Sequence, residues 1–526
     1  MYVGWSRKSQ DEEARNLPAP VAKLPSHDGA QLTQPLSSLP TLRIPVYVFC
    51  LALLLALISF NFVDIDLWHQ MALIRASLQA GHLLTQDPFA YTPTVYPMMD
   101  HEWGAGVLAF FFTKWLGGAG ILLLKFAAAF GALGLAMRLA ELRGASPAVL
   151  AFLAPLGIFL CYLGFLPAVR AHAYSFLFTA SLLWIFEKDR HGHGGWLLAA
   201  AVCFPLWVNL HGGFVVGLGF VFLYAIEQAL QRHPYRHVLL VVMMFALGTF
   251  ANPYGLHYFD YLARALTMAR PRIPEWGPVW TLDWPLALVY VIAIIAFLYG
   301  LAQARTWRLP GGLLISVSAA EALRHRKLLP FFAIVWIAYV PAMLQNTPAG
   351  EWLQAFAEHR RRFLVLACSV LTAVCLIAAI RTPFWRTQVP QVSGEASYPV
   401  GAVEYLRQQN FHGNVMVPFR AGAYVSWKLY PAVRVSIDSR YEVAYPDAWV
   451  ERSFLFYDGG AGWQSTLTAY PTDLVLTRKT ARVQSLLQGL NWHSVYTDAE
   501  FELLARPGLT LPVMDRNTTH FAGAFP

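Results

Sequence analysis

Residues 64–103 contain the side chains of this chain that are best suited to chemistry. Five carboxylates lie there against one basic side chain, Arg75; they are Asp64, Asp66, Asp87, Asp100 and Glu102. A carboxylate can take a proton from an attacking hydroxyl. Carboxylates crowded beside membrane segments are costly, so this loop indicates a partner, a bound cation or a catalytic role.

Four further polar clusters stand where apolar runs end. They are Arg170 with His172, Asn209 with His211, Asn252 with Tyr254, and Arg324 with His325 and Arg326. A guanidinium can hold phosphate oxygens through two parallel hydrogen bonds. Cations near a carboxylate loop therefore predict a site for a ligand that carries a phosphate, beside a nucleophilic hydroxyl. Structural roles stay open as well, because Asn and His at helix ends often cap or link helices, and Asp66 suits a helix N-cap.

Metal binding is a second chemistry that these residues allow. Asp64, Asp66 and Glu102 are the candidate ligands for Mg²⁺ or Mn²⁺, which prefer hard oxygen atoms. Their spacing matches no closed metal motif, so a bound cation stays an alternative and no cofactor is required. The five cysteines all lie in apolar runs, which argues against a disulfide framework or a cysteine metal site.

The elements that must position these side chains are strongly hydrophobic. The chain has 526 residues, of which 56% are hydrophobic and 13% charged, whereas soluble domains carry about a quarter charged residues. Apolar runs of about 17 to 20 residues, long enough to cross a bilayer, recur as far as residue 380. We predict an α-helical polytopic membrane protein with about eleven transmembrane helices, within a range of about 10–13. The net charge of +8 then reflects cytoplasmic loops, and no nucleic-acid partner is expected.

The apolar runs give a provisional map of the transmembrane domain, residues 45–382. Residues 1–44 are predicted to be a disordered cytoplasmic N-terminus, and 46–62 an uncleaved anchor. Residues 67–80 are predicted to form a helix on the membrane surface that Gly81 ends. The run 104–116 is short and is expected not to cross completely. The later runs are 119–137, 148–165, 173–186, 196–208, 213–230, 238–251, 285–301, 311–321, 329–344 and 363–380.

Charge patterning orients the chain in an inner, or plasma, membrane. An N-terminus in the cytoplasm puts most basic connections inside, as the positive-inside rule requires. The acidic loop, residues 63–103, then lies outside with the four polar clusters. Two outer connections break the rule: Arg264, Arg270 and Arg272 lie in one, and Arg324, Arg326 and Lys327 in the other. Either the topology is wrong there or these cations face an anionic ligand.

The composition changes after residue 382 and predicts a small soluble α/β domain, residues 383–526. A helix over 400–409 alternates with strand-like segments. These segments are 415–418, 434–438, 473–477 and 501–506. An odd number of crossings places this domain outside, beside the acidic loop. Residues 438–442, Asp-Ser-Arg-Tyr-Glu, follow a predicted strand. Strand ends often carry ligand-binding residues, but a structural ion pair is expected within this segment.

These motifs resemble those of the GT-C superfamily of polytopic membrane glycosyltransferases, and most closely a group of uncharacterised bacterial membrane proteins. That group has a D-x-D-L-W-x-H-like start, followed by D-P-F-x-Y-T, H-E-W, N-L-H-G-G and N-P-Y-G. The corresponding segments here are 64–69, 87–92, 101–103, 209–213 and 252–255. The resemblance covers residues 46–460. One departure is Arg326-Lys327, where the group leads us to expect an Arg-Asn pair.

The resemblance implies a GT-C-like fold and transfer of a sugar from a polyprenyl-phosphate donor to an acceptor hydroxyl or amide on the extracytoplasmic face. The acceptor would be a saccharide, a lipid or a protein, and a single displacement would invert the anomeric centre. Asp66, with Asp64 as its rival, would be the general base. Arg170, His172, Arg324 and Arg326 would bind the donor phosphate. The implied acceptor-positioning residues are Asp87, His101, Glu102, Asn209, His211, Asn252 and Tyr254. The alternatives are a transporter or flippase of a lipid-linked saccharide, and a non-catalytic scaffold of an envelope polysaccharide complex.

Overall fold

In the computed structural model, which describes residues 40–166, 170–268, 270, 273–304, 309–390 and 397–526, the apolar runs form helices. A helix satisfies its backbone hydrogen bonds internally, as a segment in lipid must. The first fifteen helices are α1 (Pro40–Leu57), α2 (Ile65–Ala80), α3 (Trp103–Leu116), α4 (Gly118–Leu142), α5 (Pro147–Cys161), α6 (His172–Arg190), α7 (Gly195–Leu210), α8 (Phe214–Leu230), α9 (Arg236–Gly248), α10 (His257–Thr267), α11 (Trp284–Ala304), α12 (Gly312–Arg324), α13 (Leu329–Gln345), α14 (Pro348–His359) and α15 (Arg361–Arg381).

The predicted helical membrane class is confirmed, and the predicted apolar runs correspond closely to helices. Helices α10 and α14, with 11 and 12 residues, were not expected from the sequence. In the described residues, five helices have the length and composition to cross a membrane. These are Gly118–Leu142, Pro147–Phe165, Trp284–Ala304, Arg326–Gln345 and Arg361–Arg381. The total of about eleven crossings stays a prediction. Residues 1–39 of the predicted disordered N-terminus lie outside the described residues, whereas residues 40–44 belong to helix α1.

Helix α3 has only 14 residues. At about 1.5 Å per residue it is about 21 Å long, whereas the hydrocarbon core of a bilayer is about 30 Å thick. The helix is therefore too short to span a membrane by itself. This length agrees with the expectation that residues 104–116 do not make a complete crossing.

The C-terminal region has the small α/β fold that the sequence predicts. Its elements are β1 (Val389–Pro390), α16 (Val400–Gln408), β2 (Gly413–Met416), α17 (Gly422–Leu429), β3 (Val433–Val435), α18 (Asp447–Tyr457), α19 (Gln464–Ala469), β4 (Leu474–Arg478), α20 (Arg482–Gln488), β5 (His493–Thr497), β6 (Phe501–Ala505), β7 (Met514–Asp515) and β8 (Ala522–Gly523). Six strands form one mixed sheet in the order β3-β2-β4-β6-β5-β7, and β1 pairs with β8 separately. The predicted helix and four strands are present as α16, β2, β3, β4 and β6, and β1, β5, β7 and β8 are additional strands.

The acidic loop is joined to this sheet by backbone hydrogen bonds. Ala90 forms a parallel bridge with Val435 of β3. The Tyr91 N–H donates to Val435 O at 3.1 Å, and the Val435 N–H donates to Phe89 O at 3.0 Å. Residues 39–526 form a single compact unit, so the domain boundary at residue 383 stays a prediction.

Helix α2 is confirmed, but it is buried in the protein and does not lie exposed on the membrane surface as expected. Asp64 caps its N-terminus by accepting from the Asp66 N–H, and Gly81 ends it at a φ of 76°, a conformation that glycine adopts without strain. Residues 67–74 are buried without interruption, because α2 lies between α3 and α17. The helix predicted from the apolar spacing of residues 67–80 is confirmed. Helix α17 of the C-terminal region covers the side of α2 that was expected to be exposed at the membrane surface.

Candidate active site

Arg170 joins the start of the acidic loop to a carboxylate from a distant connection. Its Nε lies 2.9 Å from Asp64 Oδ2, and its Nη2 lies 3.7 Å from Asp66 Oδ2. On the other side, Nη1 donates to Glu275 Oε2 at 2.8 Å. Burial alone would raise the pKa of Glu275, but the Arg170 charge lowers that pKa to about 2. One guanidinium therefore holds three carboxylates together.

Asp64 and Asp66 differ in their freedom to act as a base. Asp64 is 9% exposed at its side chain and is engaged as the N-cap of α2. The Asp66 side chain is 30% exposed, and its distance to Arg170, 3.7 Å, is longer than the 2.9 Å of Asp64. Burial and the neighbouring Asp64 charge raise the pKa of Asp66 well above its ordinary value, against the opposing effect of Arg170. A raised pKa makes a carboxylate a better proton acceptor, and burial raises the pKa of Asp64 as well. Asp66 is the better placed of the two because it is more exposed and does not cap the helix.

A cavity of about 880 Å³ adjoins this carboxylate cluster. Much of its wall is apolar and comes from α5, α11 and the residues that follow α1. The apolar lining includes Phe60, Phe62, Phe159, Tyr162, Leu286 and Val289. Its charged and imidazole side chains are Arg170, His172, Glu275, Asp283, Arg326 and Lys327, and Thr281 adds a hydroxyl. The cavity thus combines a hydrophobic surface with three basic side chains, a composition suited to a lipid with an anionic head.

The basic cluster before α13 is divided between the cavity and the surface. Arg326 and Lys327 line the cavity, whereas Arg324 is exposed and does not. The Lys327 Nζ lies 3.3 Å from the centroid of the Trp276 ring, and His325 Nδ1 lies 2.9 Å from Trp276 O. Arg326 forms no ion pair with a carboxylate in the part of the chain that is described. Of the two arginines predicted here as phosphate ligands, the structure brings Arg326 to the site and leaves Arg324 outside it.

Glu102 lies at the centre of a second polar group, between α2, α3 and α7. Gln70 Nε2 donates to its Oε2 at 2.5 Å. Oε1 lies 3.4 Å from His101 Nε2 and 3.6 Å from His211 Nε2. The Gly213 N–H donates to His211 Nδ1 at 2.9 Å, so the ring proton of a neutral His211 is on Nε2 and faces Glu102. Burial would raise the pKa of Glu102, but the His101 hydrogen bond and charge lower it to about 2.

The second polar group adjoins the cavity through His172. The His172 and His211 rings have centroids 4.2 Å apart, and His172 lines the cavity. His101 Nδ1 lies 3.0 Å from the Tyr261 hydroxyl. The structure therefore brings His101, Glu102 and His211 together on one side of the cavity.

The remaining predicted positioning residues hold the loop in place. Trp103 Nε1 donates to Asn209 Oδ1 at 2.7 Å, which ties α3 to α7. Asn252 Oδ1 accepts from the Tyr254 N–H at 2.8 Å. The Tyr254 hydroxyl accepts from the Asp100 N–H at 3.1 Å and donates to Asp100 O at 3.2 Å. These contacts are internal to the protein and fix the acidic loop against the helices.

Asp87 lies away from the cavity, in a buried ion pair with the C-terminal region. Its Oδ1 is 2.6 Å from Arg440 Nη1, with side-chain exposures of 0% and 1%. Arg440 also forms an ion pair with Asp438 at 2.7 Å, so the structural ion pair expected within residues 438–442 is present. Arg264 and Arg270 are two of the basic residues that break the positive-inside pattern. Arg264 donates to the backbone carbonyl of Glu442, and Arg270 donates to the Glu442 carboxylate. Arg270 therefore faces an anionic side chain of the same chain, while Arg272 lies outside the described residues.

The acidic loop does not fit a metal site well. In the described ranges, no group of three or more His, Cys, Asp and Glu side chains is arranged to hold a metal ion. The cation that contacts Asp64 and Asp66 is Arg170, and Glu102 is paired with histidines. The suggested ligands Asp64, Asp66 and Glu102 already have protein partners.

Three residues at the site were not singled out from the sequence. Glu275 lies in the long connection before α11. A carboxylate in a connection that also holds arginines is a sequence feature that could have marked it as a candidate. Lys327 belonged to a noted basic cluster but was not assigned to the phosphate. Ser439 lies in the loop after β3, with its Oγ 3.1 Å from His69 Nδ1, and no local pattern distinguishes it from other serines.

A helical bundle with an acidic loop after its first apolar helix and a small α/β region at its C-terminus is the architecture that the resemblance implies. The chain is similar to the crystal structure of ArnT from Cupriavidus metallidurans in the apo state, with a TM-score of 0.50 and 12% sequence identity. The similarity covers 88% of this chain and 97% of that one. No protein-family model matches the chain, and no curated protein matches it. At this identity the similarity shows the fold, and the activity must be argued from the site.

Proposed function

We propose that this protein is a GT-C glycosyltransferase that moves a sugar from a polyprenyl-phosphate donor to an acceptor hydroxyl or amide on the extracytoplasmic face of the membrane. The apolar part of the cavity accepts the polyprenyl chain. Arg326 and Lys327 hold the phosphate, because Arg170 is already neutralised by Asp64 and Glu275. The acceptor approaches from the side of Asp66 and the Glu102 group.

The observation that carries this proposal is the position of Arg170. It lines the cavity and its Nη2 lies 3.7 Å from Asp66. A phosphate bound in the cavity and a base acting at Asp66 would thus be neighbours. Donor and acceptor held side by side turn a bimolecular reaction into an effectively unimolecular one.

The chemistry that fits this arrangement is a single displacement. Asp66 takes the proton from the acceptor hydroxyl as its oxygen attacks the anomeric carbon. The bond from that carbon to the phosphate oxygen breaks, and the polyprenyl phosphate leaves with its bonding electrons. Arg326 and Lys327 stabilise the charge that develops on the leaving phosphate. Attack opposite the leaving group inverts the anomeric centre.

The test is a transfer assay on the full chain in lipid nanodiscs with a panel of polyprenyl-phosphate monosaccharides. Release of polyprenyl phosphate is measured by mass spectrometry. We expect Asp66→Asn to lower the rate by about 10²–10⁴-fold while its Tm stays close to that of the native protein. Asp260→Asn is the control, because the Asp260 side chain is 89% exposed. Native rates in Asp66→Asn, or movement of the intact donor across the bilayer without bond cleavage, would contradict the proposal.

A further inference from the structure

Glu275 places a negative charge in the wall of the cavity that is proposed to hold an anionic lipid. Its side chain lines the cavity and is 30% exposed. Its Oε2 accepts from Arg170 Nη1 at 2.8 Å. Burial alone would raise the pKa of Glu275, but the Arg170 charge beside it lowers that pKa to about 2, so the carboxylate is ionised at neutral pH. A fixed carboxylate in this position repels a phosphate.

The segment that carries Glu275 is fixed to the residues that are proposed to hold the phosphate, Arg326 and Lys327. It is a short 3-10 turn. The Arg326 N–H donates to Gly277 O at 2.8 Å, and the Lys327 Nζ lies 3.3 Å from the centroid of the Trp276 ring. The carboxylate and the two phosphate-holding cations therefore keep fixed positions in one wall of the cavity.

Glu275 also withholds the Arg170 guanidinium from a ligand. The Arg170 Nε lies 2.9 Å from Asp64 Oδ2, and its Nη2 lies 3.7 Å from Asp66 Oδ2. Glu275 occupies the remaining nitrogen, Nη1. Each guanidinium nitrogen thus faces a carboxylate, and Arg170 adds no unpaired positive charge to the cavity.

The charged side chains that line the cavity come close to balancing one another. Among the described residues the basic ones are Arg170, Arg326 and Lys327, and the acidic ones are Glu275 and Asp283. Three positive charges against two negative ones leave a net charge of +1. Asp283 is exposed, so water screens its charge more than that of Glu275. This wall balances one negative charge on a ligand and offers no partner for a second.

The donor and the product of the proposed reaction differ in charge. A polyprenyl-phosphate sugar is a phosphodiester and carries one negative charge. The polyprenyl phosphate that leaves is a phosphomonoester, whose second pKa of about 6 gives it a charge of about −1.5 to −2 at pH 7. Because the Coulomb energy is proportional to each charge, a neighbouring carboxylate opposes the doubly charged product about twice as strongly as the donor.

We propose that Glu275 makes the site at Arg326 and Lys327 select a singly charged phosphodiester over a doubly charged phosphomonoester. The inference rests on the proposed function, in which a polyprenyl-phosphate sugar is bound and polyprenyl phosphate is released. Glu275 is a specificity residue and takes no part in bond cleavage. It lets the donor replace the spent lipid, which has the same polyprenyl chain. The charged or titratable groups that act on Glu275 are Arg170, His172, Lys327 and Asp64.

The experiment compares two lipids that differ in charge and carry no sugar. They are undecaprenyl phosphate, a monoester, and undecaprenyl methyl phosphate, a diester. Microscale thermophoresis of the full chain in a neutral detergent measures the Kd of each. Glu275→Gln removes the charge and keeps an oxygen that can accept from Arg170. At pH 8 we expect this variant to bind the monoester about tenfold more tightly than the native protein does, and the diester only about threefold, since the gain in binding free energy scales with ligand charge.

The same comparison at pH 5 and two further variants separate charge from structure. At pH 5 the monoester carries close to one charge, so Glu275→Gln should strengthen the binding of both lipids equally. Glu275→Asp keeps the charge and should keep the native ratio of the two affinities. Asp260→Asn is the matched control and should leave both Kd values unchanged. Asp260 lies in the same connection, is 89% exposed at its side chain and does not line the cavity.

The native protein provides a measurement that does not depend on any variant. Its affinity for the diester, relative to the monoester, should rise between pH 5 and pH 8. A native ratio that does not change with pH overturns the proposal. So do equal gains for the two lipids in Glu275→Gln at pH 8 with intact Tm, or a gain of the same size in Asp260→Asn. If the charge selection is observed but no sugar is ever transferred, the proposed function fails while the selectivity of the site stands.

Discussion

The Nη1 of Arg440 lies 2.6 Å from Oδ1 of Asp87, and neither side chain has appreciable contact with solvent. This ion pair joins the acidic loop to the C-terminal sheet, which the loop extends by the bridge between Ala90 and Val435. The same guanidinium neutralises Asp438. The loop that carries the proposed base is thus held by the region that was predicted to be a separate domain.

Removing this buried cation should be strongly destabilising. Arg440→Met leaves Asp87 and Asp438 buried without their partner, and breaking a buried ion pair costs about 3–5 kcal/mol. We expect a large fall in Tm, measured by tryptophan fluorescence in detergent. Arg506→Met is the control, because its pair with Asp473 is half exposed and should contribute at most about 1 kcal/mol. Similar falls in both variants would show that the Arg440 pairs are dispensable.

The two arginines before α13 should differ in their effect on lipid binding. Arg326 lines the cavity without a carboxylate partner among the described residues, whereas Arg324 lies outside the cavity and is exposed. We expect Arg326→Gln to weaken the binding of undecaprenyl phosphate by about 10- to 100-fold, since a charge-assisted hydrogen bond contributes about 1.5–3 kcal/mol. Native mass spectrometry in detergent would measure the bound fraction.

Arg324→Gln is the matched control, and its binding should equal that of the native protein. If both substitutions weaken lipid binding equally, the loss is caused by the lower positive charge of the protein surface and not by a specific contact. In that case the phosphate does not bind where the cavity suggests.

Asp100 should make stability depend on pH. Burial raises its pKa to about 6 from an ordinary value of 3.8, and no hydrogen-bond partner for its Oδ2 is found in the described part of the chain. The folded state therefore binds the proton more tightly than the unfolded state. Its contribution to stability is present at low pH and is lost as pH rises through about 4 to 6, by at most about 3 kcal/mol.

Asp100→Asn removes this charge and keeps an oxygen that can accept from the Glu102 N–H. We expect the variant to have a higher Tm than the native protein at pH 8, and no advantage at pH 4. Thermal unfolding at the two pH values measures the difference. A gain of the same size at both pH values would mean that the charge is not its cause.

Local patterns predicted much of the fold. The apolar runs, the helix over 67–80 with its stop at Gly81, and four C-terminal strands all follow from composition and periodicity, which neighbouring residues determine. The burial of α2 could not be predicted, because the surface that covers it comes from α17, more than three hundred residues later. Helices α10 and α14 were missed because each is short and lies inside a polar connection.

The candidate site likewise has features that local sequence predicts and features that only the tertiary structure determines. By itself the sequence determined the membrane class, the carboxylates after the first apolar helix and the basic residues at the ends of later helices, since residue type and spacing are local properties. Tertiary structure decided which of them meet. It placed Glu275 against Arg170 across 105 positions, Ser439 against His69 across 370, and Asp87 in a buried pair with Arg440 away from the cavity. Such contacts depend on how distant helices and strands pack, which no local pattern encodes.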